Sequence, residues 1–137
     1  MKSLLFDYGG TLDSDGSTWV DRFYPLYKEA GHDFSRNAFE RAFYDSDDNL
    51  HVRHSLKGLD LEQTLRLQVQ DVLKVLAPER TASAEPIAAR FAADSRLHFA
   101  KLRPVLERLR GRYLLGVVSN FYGNLEDILR AEGLRDL

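Results

Sequence analysis

Cysteine is missing from the chain, so neither a disulfide framework nor a thiolate metal centre can be built. No apolar run approaches the roughly 18 residues of a membrane-spanning helix. Met1-Lys2 leads straight into an apolar strand with no export signal, which makes the cytoplasm the expected compartment. A basic surplus is also missing: 19 Lys and Arg stand against 21 Asp and Glu, for a formal charge of −2. No global field therefore draws the protein to nucleic acid, and Arg103, Arg108, Arg110 and Arg112 read as a solvated helix face. Internal repeats and low-complexity segments are absent too. A length of 137 residues with 44% hydrophobic and 29% charged residues suits one ordinary folded domain.

The stretch that carries chemistry is Ser3-Leu4-Leu5-Phe6-Asp7-Tyr8-Gly9-Gly10-Thr11-Leu12-Asp13. Leu4, Leu5 and Phe6 form the continuous apolar run of a buried parallel strand, and Asp7 stands at its carboxyl end. Open parallel sheets bind ligands at that edge. Gly9 and Gly10 let the backbone turn away sharply, and Thr11 brings a hydroxyl and an amide beside the Asp7 carboxylate. The pattern describes a phosphate cradle with a nucleophile in it.

Beyond a polar turn at Asp13–Ser17, Thr18 and Asp21 have capping-box spacing, and a helix is expected through Phe23, Leu26 and Tyr27 to Gly31, kinked or delayed by Pro25. A second helix is expected from Ser35, with Phe34 and Phe39 as a hydrophobic staple, fading in the acidic run Asp45-Ser46-Asp47-Asp48-Asn49. Asp60 and Gln63 cap a third helix, which carries Leu61, Leu65, Val69, Val72 and Leu73 inward and stops before Pro78. A fourth runs from about Ser83 to Leu97 or Phe99, and a fifth from Pro104 to Gly111. Tyr113 to Val118 is the second strand, followed by Ser119 and Asn120, and a short helix runs from Asn124 to Glu132. The helical block between the strands far exceeds the dozen or so residues that a parallel crossover requires.

Asp7-Tyr8-Gly9-Gly10-Thr11-Leu12 resembles the first motif of the haloacid dehalogenase (HAD) superfamily, Asp-x-Asp-Gly-Thr-Leu. Leu114-Leu115-Gly116-Val117-Val118-Ser119-Asn120 is similar to the second motif, an apolar strand that ends on a hydroxyl residue. The resemblance implies an α/β fold: a Rossmann-like parallel sheet core from residues 1–14 and 101–137, with an all-helical, C1-type cap inserted at 15–100. Two strands cannot cover helices on both faces, so the core is expected to be incomplete, and the chain reads as the first part of a longer protein. The third motif (a lysine) and the fourth (an acidic pair) do not occur, and the uncovered sheet implies self-association. The resemblance further implies Mg²⁺-dependent hydrolysis of a small phosphorylated metabolite, with neither nucleic acid nor membrane as partner. Asp7 would be the nucleophile, Asp7 and the Gly9 carbonyl the Mg²⁺ ligands, and Gly10, Thr11, Ser119 and Asn120 the phosphate-binding residues.

Gly9 departs from this pattern, because phosphatases of the family carry their general acid at that position. Asp13 and Asp15 are the nearest carboxylates to stand in for it. Two alternatives follow from the same glycine: a haloacid dehalogenase-type hydrolase, or a non-catalytic binding or regulatory protein. His51-Val52-Arg53-His54 lacks further metal ligands at recognised spacing, and Asp45–Asn49 lacks the glycine and terminal glutamate of a calcium loop. Both read as surface, while Phe23, Phe39, Phe43 and Phe91 read as helical core.

Overall fold

After one short strand the chain turns almost wholly to helix. A computed structural model describes all of residues 1–137. Strand β1 (Ser3–Phe6) is followed by helices α1 (Trp19–Glu29), α2 (Arg36–Arg53), α3 (Leu61–Leu76) and α4 (Ala84–Arg110), then strand β2 (Leu114–Val117) and helix α5 (Leu125–Ala131). A 3₁₀ turn at Pro78–Ser83 joins α3 to α4. The strands are parallel and in register, Ser3 against Leu114 through Phe6 against Val117. Their carboxyl ends therefore lie side by side, and Asp7 and Ser119 leave from the same edge.

The expected Rossmann-like α/β core is not what forms. The protein is 62% helical, with only two short parallel strands. The physical reason lies in where the apolar surface goes: Phe23 and Tyr27 of α1, Phe39 and Leu50 of α2, Leu61, Leu65 and Leu73 of α3 and Phe91 of α4 are all fully buried. The helices bury their stripes against one another, as Phe23 stacked on Phe91 with centroids 4.0 Å apart illustrates. The sheet, by contrast, leaves Leu5 and Leu114 at least 60% exposed.

Local capping signals set three helix starts. The Thr18 hydroxyl accepts from the Asp21 amide, the Ser35 hydroxyl from the Ala38 amide, and Asp60 and Gln63 close a reciprocal capping box. Two expectations about helix interiors are corrected. Helix α2 does not fade at Asp45–Asn49 but continues to Arg53, because Ser46 donates to the Gln68 carbonyl, Leu50 is buried, and Asp45 accepts from Asn49 and Arg53. Helix α4 is a single 27-residue helix with Pro104 inside it, not two. A mid-helix proline costs about 3 kcal/mol. Phe99 and Leu106, one on each side of it, are buried in the same core, and Arg103 donates to the carbonyls of Glu132 and Gly133 at 3.0 Å. Similarly, α1 passes through Pro25 without a delayed start. No helix is long and apolar enough to cross a membrane.

Candidate functional site

The first strand-end loop is organised by Tyr8 and Asp13. The Tyr8 carbonyl accepts from the amides of Thr11, Leu12 and Asp13, which wraps the chain into a tight turn. Gly10 sits in that turn at φ +80°, a conformation that disfavours any side chain. Asp13 is fully buried and takes the Gly10 amide at 2.7 Å, the Trp19 indole N–H, and Arg22 at 3.0 Å. Burial pulls the Arg22 guanidinium below its ordinary pKa, and the Asp13 charge opposes that pull. The buried Tyr8 ring packs edge-on against Phe121, centroids 5.4 Å apart, and so ties the loop after β1 to the loop after β2.

A cavity of about 490 Å³ opens over this edge, and Asp7, Gly9, Ser119 and Asn120 line it together. Asp7 Oδ1 accepts from the Tyr8 amide at 2.7 Å, leaving Oδ2 without a partner. Neither the N–H nor the C=O of Gly9 hydrogen-bonds within the chain, so both are free for a ligand. Gly10 and Thr11 do not line the cavity. Their amides are taken by Asp13 and by the Tyr8 carbonyl, and Thr11 faces His98, whose Nε2 lies 3.4 Å from the Thr11 carbonyl. Asp13 and Asp15 border a separate depression with Asp94, His98 and Lys101, and neither lines the cavity that Asp7 lines.

The opposite wall comes from residues that sequence inspection assigned to surface or core. Helix α2 contributes Phe43, Tyr44, Asp47, Asp48 and His51, which repeat at helical spacing and share one face. The Tyr122 hydroxyl donates to Asp47, as does Gln68 Nε2 at 3.2 Å, so the loop after β2 is fastened to α2. Burial raises the pKa of Asp47; the hydrogen bond from Tyr122 opposes this and the neighbouring Asp48 charge adds to it. Burial, and then the Asp47 charge, push the Tyr122 phenol well above its ordinary range. Trp19, Phe121 and Tyr122 complete an aromatic side, with Trp19 edge-on to Phe121 at 5.7 Å. His54, the other member of the discounted histidine pair, hydrogen-bonds Asp71 at 2.8 Å, away from the cavity.

No three His, Asp or Glu side chains converge into a metal-binding group. What the cavity offers a divalent ion is the Asp7 carboxylate, whose Oδ1 keeps a lone pair beyond the Tyr8 amide, and the unengaged Gly9 carbonyl. Mg²⁺ commonly takes one or two carboxylates from a protein and fills its octahedron with substrate phosphate and water, so this donor set fits it. Comparison with protein-family models, with curated proteins and with solved structures finds no match to the chain.

Proposed function

We propose that this cavity hydrolyses phosphate monoesters through an aspartyl-phosphate on Asp7, the chemistry implied by the resemblance of its first loop to the HAD motif. One observation carries the proposal: a carboxylate with a free oxygen, an unengaged backbone N–H at Gly9, and the Ser119 and Asn120 side chains lie at adjacent parallel strand ends around a single cavity. Asp7 Oδ2 attacks phosphorus, the O–P bond forms, and the ester P–O bond breaks with its electron pair on the leaving oxygen. Gly9 N–H, Ser119 and Asn120 hold the non-bridging oxygens as charge builds on them. Water then attacks the acyl phosphate, releasing inorganic phosphate and restoring Asp7. Mg²⁺ held by Asp7 and the Gly9 carbonyl would neutralise charge on the phosphoryl oxygens.

A haloacid substrate is disfavoured by the lining: Asp7, Asp47 and Asp48 face the cavity and no Lys or Arg does, which leaves His51 as the one side chain there able to pair with a substrate carboxylate. Incubation with acetyl phosphate and p-nitrophenyl phosphate in Mg²⁺ tests the proposal. Turnover is expected in wild type, together with an acid-stable, base-labile phosphoprotein, and Asp7→Asn should lose both. Binding of phosphate without turnover, or a phosphoprotein that survives in Asp7→Asn, would favour the non-catalytic alternative or another nucleophile.

A further inference from the structure

The wall opposite Asp7 combines two features that together define a cation site. Asp47 and Asp48 take part in no salt bridge, although 13 such pairs occur elsewhere in the protein. Asp47 is held only by the neutral donors Tyr122 and Gln68. Behind it, Gln68 is 1% exposed and offers Asp47 its amide N–H, a neutral donor that leaves the carboxylate charge in place. Trp19, Phe43, Tyr44, Phe121 and Tyr122 line the cavity around these carboxylates, and aromatic rings attract organic cations. No Lys or Arg lines the cavity to offset these carboxylates, and burial raises the pKa of Asp47, as expected where no fixed cation faces it.

We propose that this wall recognises an organic ammonium group, so that the substrate is a phosphate monoester whose alcohol carries a positively charged nitrogen. The phosphate end lies towards Asp7, Gly9, Ser119 and Asn120, and the nitrogen lies among Asp47, Asp48 and the aromatic rings. The substrate class rests on the phosphatase proposal above; the ammonium site itself does not. A zwitterionic substrate of this kind is attracted to a cavity that would repel a plain phosphate dianion at its acidic wall.

Trp19 is the chain's one tryptophan and lines the cavity, so its fluorescence reports occupancy directly. The first experiment titrates choline, and its uncharged isostere 3,3-dimethylbutan-1-ol, into the metal-free Asp7→Asn protein. Choline should bind about tenfold or more tightly than the isostere, the discrimination expected of one desolvated cation–π and ion-pair contact. Asp48→Asn, at an exposed position where folding is not at stake, should lower that ratio, and so should Asp47→Asn, which keeps an acceptor for Tyr122. Equal affinity of the two compounds, no response to either, or an unchanged ratio in both variants would overturn the ammonium site. A second experiment compares kcat/KM for phosphocholine and 3,3-dimethylbutyl phosphate in the wild type with Mg²⁺. Discrimination by binding without turnover of either ester would sink the phosphatase proposal alone, whereas equal turnover of both would sink the ammonium site alone.

Discussion

Replacing Asp13 by Ala tests whether the strand-end loop is built as described, because this one carboxylate holds three donors from different parts of the chain. Asp13 and Arg22 have side-chain exposures of 0% and 12%, so their ion pair is withdrawn from water. Removing one member of a buried pair generally costs about 3–5 kcal/mol, mostly because the remaining charge is left uncompensated. Arg22 is not wholly stranded: its Nη2 still donates to Ser95 at 2.7 Å, and its guanidinium lies 3.6 Å over the Phe91 ring. Those contacts place the expected loss near 3 kcal/mol, a large part of the 5–15 kcal/mol that stabilises ordinary domains. For a chain of this length that corresponds to a fall in Tm of roughly 10 °C.

Urea unfolding followed by Trp19 fluorescence measures the loss, and the same signal reports the broken indole hydrogen bond. Asp13→Asn separates charge from shape, because it keeps one acceptor while the carboxamide N–H₂ now faces donors. It should lose nearly as much as Asp13→Ala. Either variant within about 0.5 kcal/mol of wild type, the range of ordinary surface substitutions, would refute the role given to Asp13.

Three further outcomes follow from the geometry. Gly9→Asp should fold, since a Cβ at Gly9 meets only Trp19 at 3.6 Å and the φ angle is not positive; turnover of alkyl phosphates should rise by up to about 10²–10⁴-fold while that of aryl phosphates barely changes, as leaving-group-graded kinetics would show. Asp47 has a folded-state pKa above its ordinary value of 3.8, so its contribution to stability is complete below that value and is lost as pH rises; Asp47→Asn should raise Tm at neutral pH but not at pH below 3.8, and a uniform shift would count against the buried charge. His32 is 3% exposed with both ring nitrogens unpartnered, and burial depresses its pKa below 6.5; stability should fall as pH drops below 6.5, and His32→Phe should flatten that limb of a Tm-against-pH curve.

Features that depend on neighbouring residues were legible in the sequence; those that depend on distant contacts were not. Thr18, Ser35 and Asp60 cap their helices through bonds to residues three positions on, so the pattern alone located the starts. The two strand segments and the placement of Asp7 and Ser119 at their ends were equally local. The fold class was not, because an apolar strand followed by a glycine turn says nothing about where the helices bury their stripes, and here they bury them mainly in each other. The candidate site divides along the same line. Its Asp7 half was readable from one loop, whereas its Asp47 half depends on a hydrogen bond between residues 75 positions apart and on α2 continuing through Asp45–Asn49. Judged by propensity, that acidic run ends a helix; held by Ser46 on Gln68 and by buried Leu50, it becomes the helix face that carries Asp47, Asp48 and His51 into the cavity. The wall proposed to recognise the ammonium group is thus held by packing against α3, and Ser46→Ala should lower the choline-to-isostere affinity ratio read by Trp19 fluorescence before it alters the turnover proposed for Asp7.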